Sequence, residues 1–208
     1  MIKRLLAIVA AVVLLGNASL AQAEGYAGFK AGANLASFTG DGTSLLPEFP
    51  DTRTGFTGGG FIGFDSGKYL GFRTDLLYTM KGAVNEDLRL SVELDYLEAA
   101  TLLVGRFDLP GRFAVRVVAG PVFGMWINAE ADNGPVDQDI GEAIEHLEIS
   151  GTIGAELNVM TGPYIALLEA RFTQGTRVFE PVMVGDEEIE IGYKNQGISV
   201  MAGLMVPF

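Results

Sequence analysis

Leu70-Gly71-Phe72-Arg73-Thr74-Asp75-Leu76-Leu77-Tyr78-Thr79-Met80-Lys81 sorts into two faces when read in steps of two. Leu70, Phe72, Thr74, Leu76, Tyr78 and Met80 fall on one side; Gly71, Arg73, Asp75, Leu77, Thr79 and Lys81 fall on the other. A period of two belongs to a strand, whose successive side chains point to opposite faces. The sorting returns at the end of the chain, where Ile198, Val200, Ala202, Leu204, Val206 and Phe208 oppose Gly197, Ser199, Met201, Gly203 and Met205. It returns again where Tyr164, Ala166, Leu168, Ala170 and Phe172 oppose Ile165, Leu167, Glu169, Arg171 and Thr173. In each case one face is apolar and the other gathers glycine and ionisable groups.

Working outward, the same alternation predicts eight strands, at about 25–37, 54–65, 69–82, 93–107, 112–128, 148–160, 163–174 and 195–208. Most are longer than the roughly 5–6 residues usual in soluble proteins, and long enough for the 9–11 residues of a tilted membrane span. Asp65-Ser66-Gly67-Lys68, Asp108-Leu109-Pro110-Gly111 and Met160-Thr161-Gly162-Pro163 read as tight turns. Between them lie longer polar connections at about 38–53, 83–92, 129–147 and 175–194. Long and short connections therefore alternate. An even-stranded up-and-down barrel with both termini at one end produces that order, and in outer-membrane barrels the short turns face the periplasm.

Periodicity alone does not say which face is inside, but charge does. The polar face collects Lys30, Arg73, Lys81, Arg106, Arg116 and Arg171 together with Asp75, Glu98, Glu156 and Glu169. A near-balanced set of opposite charges is what a narrow interior needs to pair its ions, whereas a solvated surface needs no balance. Glycines on that face, such as Gly71, Gly120 and Gly203, leave room for long side chains. The expectation is an all-β protein: an eight-stranded antiparallel transmembrane barrel, apolar outside and polar within, in preference to a soluble barrel of lipocalin type. The interior of eight strands is just wide enough for side chains to fill, so no open channel is expected.

Composition narrows the function. The 208 residues carry a net charge of -12, no cysteine and one histidine, yet 49% of them are hydrophobic. The absence of cysteine excludes disulfides, thiolate metal sites and a Cys nucleophile. The acidity argues against nucleic acid as a partner. Most of the negative charge falls in the four longer connections, which contain only Arg53, Arg89, Arg177 and Lys194 as cations. At the start, Lys3 and Arg4 precede an apolar run from Leu5 to Leu15, followed by Ala21-Gln22-Ala23. That pattern predicts a cleaved signal peptide over residues 1–23 and a barrel domain over 24–208. The apolar run would span only about 16 Å as a helix, too short for a membrane anchor.

Several segments resemble a known group. Gly28-Phe29-Lys30-Ala31-Gly32-Ala33-Asn34-Leu35, the Asp75-Leu76-Leu77-Tyr78 and Lys81-Gly82 of the third strand, Asp95-Tyr96-Leu97-Glu98, Ala119-Gly120-Pro121 and Leu168-Glu169-Ala170-Arg171-Phe172 are similar to strand patterns of the small outer-membrane β-barrels called PorT-like or "porin family". Ala99-Ala100 departs from the Ile-Pro pair more usual after Tyr-Leu-Glu in that group. The resemblance implies the cell outer membrane of a diderm bacterium. It also implies recognition of the last strand, ending at Phe208, by the barrel-assembly machinery, and an accessory role in secretion as one alternative.

Candidate chemistry is sparse. Asp75, Glu98, Glu156 and Glu169 would suit acid–base catalysis were they free, but the cations on the same face make lumen salt bridges the simpler reading. His146 has no serine partner at a motif spacing. Gly58-Gly59-Gly60 lacks the Gly-Lys-Ser/Thr ending of a phosphate loop and lies within a strand. Glu130, Asp132, Asp137, Asp139, Glu142 and Glu145, with Asp186-Glu187-Glu188-Ile189-Glu190, could bridge divalent cations to lipopolysaccharide, although calcium-loop spacing is absent. No catalytic, cofactor or metal residue is assigned. The expected role is a monomeric, non-enzymatic structural or interaction protein whose partners are outer-membrane lipid and lipopolysaccharide. Passage of a narrow solute or ion, and a small barrel enzyme, are the alternatives.

Overall fold

In the computed structural model, which describes residues 24–39, 51–85, 90–132, 137–139, 147–177, 182–184, 187–189 and 193–208, strands dominate. They are β1 (Glu24–Thr39), β2 (Asp51–Ser66), β3 (Leu70–Asn85), β4 (Leu90–Asp108), β5 (Phe113–Asp132), β6 (Asp137–Asp139), β7 (Leu147–Thr161), β8 (Tyr164–Arg177), β9 (Val182–Val184), β10 (Glu187–Ile189) and β11 (Lys194–Pro207). The signal peptide expected over residues 1–23, the single histidine His146, and the acidic residues Glu142, Glu145, Asp186 and Glu190 lie outside the described residues.

Eight of the strands form a closed ring in chain order. Each pairs antiparallel with the next, from β1 through β5, then β7, β8 and β11, and β11 returns to β1. The stagger of the ring follows from its registers. Starting at Gly25, the partners are Phe64, Phe72, Leu103, Ala119, Ile153, Phe172 and Ile198, and the circuit returns to β1 at Leu35, ten residues further on. Such a shear tilts the strands by roughly 40° and leaves an interior that side chains can fill. The backbone groups are satisfied around the ring with no open edge, which a membrane-spanning sheet requires.

The two faces separate as the alternation predicts. Phe29, Phe72, Leu76, Leu103, Ile153, Leu168, Val200 and Leu204 are exposed, while Lys30, Arg73, Asp75, Arg116, Glu156, Glu169 and Arg171 are buried. A soluble protein would reverse this. Along β4 the exposed apolar residues run from Leu97 to Phe107, about 10 residues, or roughly 25 Å along the axis at this tilt, which matches the apolar band of outer-membrane barrels. Tyr69, Phe107, Phe113, Tyr164 and Phe208 are exposed around the end that carries the tight turns. Three of those turns hold a glycine at positive φ, namely Gly67, Gly111 and Gly162, where a side chain would be strained.

Three features differ from the sequence reading. The second long connection, expected at 83–92, is largely strand, because Ala83–Asn85 pair with Leu90–Val92. Likewise β5 runs to Asp132 and pairs with β6. At 19 and 20 residues, β4 and β5 are much longer than a membrane span needs, so their loop ends project beyond the apolar band. Third, the inner face is not polar throughout. Ala100, Leu102, Val104, Val118 and Val122 form an apolar inner wall on β4 and β5.

Candidate functional site

The lumen is the place where chemistry is concentrated, and it is organised in layers. At the level of the membrane midplane, three cations meet three carboxylates. Lys30 on β1 reaches Asp75 at 2.8 Å and Glu169 at 2.9 Å. Arg73 on β3 contacts Asp75 at 2.9 Å, Glu156 at 2.5 Å and Glu169 at 2.6 Å. Arg171 on β8 contacts Asp75 at 2.6 Å and Glu169 at 2.5 Å. Their side chains are 0–4% exposed. Arg73 joins β3 to β7 and β8, so the layer ties opposite walls together. Charges this deeply buried persist only when paired and hydrogen-bonded on several sides.

The geometry needs glycine opposite the long side chains. A Cβ on Gly203 would stand 2.8 Å from the Cβ of Lys30, and one on Gly63 would enter the ring of Tyr26. Phe61 lies beneath both Lys30 and Arg73, at 5.4 Å and 5.2 Å from its ring centre, so an aromatic face supports the cations.

Towards the turns, Asp65 accepts from Arg116 at 2.7 Å and from Arg106 at 3.2 Å. Arg116 lies over the ring of Tyr26 at 4.3 Å, and Arg106 continues outward to Asp108. Towards the loops, Lys81 sits between Glu98 at 2.7 Å and Glu148 at 2.8 Å. Thr79 donates to Glu98, while Ser150 and Asn195 donate to Glu148. Above this group Phe38, Ala83, Val92, Leu94, Tyr96, Ala129 and Tyr193 close the loop end as a buried apolar cluster, with Trp126 packed against it.

All ten ionisable residues assigned to the polar face therefore point inward, and each is in an ion pair. Two lumen anions escaped the reading. Asp65 ends the second predicted strand and opens its turn, and Glu148 opens the sixth; neither is assigned to the polar face, yet both are buried and paired. With them the lumen set becomes six cations and six anions. The signal that could have found them is the strand parity itself: Asp65 continues the inward series Phe61, Gly63, and Glu148 precedes Ser150 and Thr152 on the inward side of β7. Gly58-Gly59-Gly60 lies within β2, with Gly59 opposite Lys30 on the inner wall.

A polar cavity of about 20 Å³ remains beside Lys81, lined by Asn34, Thr79, Glu98, Thr173, Asn195 and their neighbours on β11. That volume is room for about one water, not a solute path.

Comparison with known proteins agrees with this architecture. The family model described as outer membrane protein beta-barrel domain matches residues 7–205. Neisserial surface protein A is similar in structure, with a TM-score of 0.54 at 16% identity, covering 90% of this chain and 99% of that one. OprG from Pseudomonas aeruginosa gives a TM-score of 0.48 at 9% identity, covering 88% and 96%. Ail, the attachment invasion locus protein of Yersinia pestis, gives 0.46 at 14% identity, covering 88% and 99%. At such identities the likeness concerns the fold alone. No curated protein matches the chain. The matched model describes the broad barrel domain and does not single out the PorT-like group.

Proposed function

The chain belongs to the outer membrane protein beta-barrel domain family and resides in the outer membrane, and from that premise we propose that it is a closed, non-enzymatic barrel with a structural or interaction role. The observation that carries the reading is the midplane layer of Lys30, Arg73 and Arg171 against Asp75, Glu156 and Glu169. Among the described residues, six charged side chains span the lumen where a solute would have to pass. The carboxylates that acid–base chemistry would use are engaged with cations instead.

On this reading the protein acts through its outer surfaces. The apolar band contacts lipid, and the acidic connections face outward, towards lipopolysaccharide. The closing strand supports recognition by the barrel-assembly machinery: Phe208 is 70% exposed, and its backbone exchanges hydrogen bonds with Gly25 at 2.8 and 3.1 Å. The barrel closes on itself and works as a monomer.

Planar-bilayer recording of the refolded protein tests the proposal. The expected trace stays at the level of the protein-free membrane. Steady single-channel steps would replace the proposal with ion or solute passage.

A further inference from the structure

The cavity beside Lys81 has an unfilled set of hydrogen-bonding groups. The Lys81 ammonium carries three N–H donors; it donates to Glu148 at 2.8 Å and is in an ion pair with Glu98 at 2.7 Å, with the ring centre of Tyr96 4.7 Å away. Asn195 is 2% exposed, and its Nδ2 donates to Glu148 Oε2 at 2.5 Å. That bond fixes the amide orientation, because the flipped amide would set its oxygen against a carboxylate. Asn195 Oδ1 therefore has a fixed direction, and among the described residues it has no partner. A buried acceptor without a donor costs about 1–3 kcal/mol, so such atoms in native proteins are normally satisfied.

We infer that the cavity holds one buried water that accepts from Lys81 and donates to Asn195 Oδ1. The volume of about 20 Å³ suits it, and Asn34, Thr79, Glu98, Thr173, Gln196 and Ser199 bring polar groups to the lining. A metal cation fits less well, since it would meet the ammonium of Lys81 and has no lone pair to accept its third proton. The water also has a structural consequence. This layer sets one cation against two buried carboxylates, and the extra acceptor keeps the ammonium centred between them. The water site thus lies between the midplane ion pairs below and the apolar cluster above.

Diffraction from the refolded barrel, at a resolution that shows waters, tests the inference. The expected result is a single peak about 2.7–3.2 Å from both Asn195 Oδ1 and Lys81 Nζ. An empty cavity overturns it, and so does a peak with the shorter contacts of a coordinated metal ion. Water relaxation dispersion gives a second reading. In Gly197→Ala the new Cβ stands 3.0 Å from Asn34 Oδ1, inside the lining of the cavity. This variant is expected to lose a long-lived water that Gly151→Ala, whose Cβ meets nothing within 4 Å, retains. Equal counts in the native protein and Gly197→Ala would overturn the assignment. Should Gly197→Ala fail to refold, diffraction from the native protein decides alone.

Discussion

At the membrane midplane the lumen is closed by Lys30, Arg73 and Arg171 against three carboxylates; at the loop end it is closed by Phe38, Val92, Leu94, Tyr96 and Tyr193. The first closure is directional. Each charge was taken out of water, and that cost is offset only while its partners stay in place. The second is not directional. It gains from removing apolar area from water, at roughly 25 cal/mol per Å², and any side chain of similar shape would serve. The difference follows from position. The midplane layer crosses the full width of the barrel and must join strands that never pair, such as β3 and β7. The apolar cluster lies where β4 and β5 project beyond the lipid band, so its inner face meets water unless it covers itself.

The two closures should therefore fail differently. Arg73→Ala removes a partner from three buried carboxylates, leaving Asp75 and Glu169 to Lys30 and Arg171, and is expected to cost about 3–5 kcal/mol of folding stability, measured by urea unfolding in lipid or detergent. A loss under about 1 kcal/mol would mean that the midplane layer is solvated and does not act as a closure. In the apolar cluster, Leu94→Ala leaves a cavity, and the expected loss is about 2–4 kcal/mol. The same titration checks it, and its result is expected to be nearly independent of salt. Outside both layers, Asp108→Asn removes the half-exposed contact with Arg106. Only about 0–1 kcal/mol is expected there, shrinking as salt is raised. Should Asp108→Asn rival Arg73→Ala, burial would not be what distinguishes the layers.

Much of this was legible in the chain. Period two places the eight strands of the ring but not the short β6, β9 and β10, and the alternation of long and short connections predicts one closed ring with both termini at the turn end. The inward charges of β3 and β8 are plain from their parity. Three things were not legible, each for a physical reason. Asp65 and Glu148 stand at strand ends, where a sequence shows only polar residues beside Gly or Ser and not that the strand continues past them. Residues 83–85 and 90–92 look like loop because their strands leave the lipid band, so the outward face loses the apolar half of the pattern: Ser91 is polar at an outward position, and Asn85 ends β3. The inner wall of Ala100, Leu102, Val104, Val118 and Val122 is apolar on a face otherwise read as polar. The midplane cations of β1, β3 and β8 pair with carboxylates on β3, β7 and β8, so this stretch of β4 and β5 needs shape and not charge. That depends on side chains far apart in the sequence, and no local period encodes it.

The central claim is that ions from opposite walls act as pairs across the lumen. A double-mutant cycle on Arg73 and Glu156, with Arg73→Ala, Glu156→Ala and both together in urea unfolding, tests it most directly. The account predicts a coupling of at least about 1.5 kcal/mol, as for close, desolvated charge pairs. Losses that add to within about 0.5 kcal/mol would contradict it, because they would show that the two side chains fill the lumen independently.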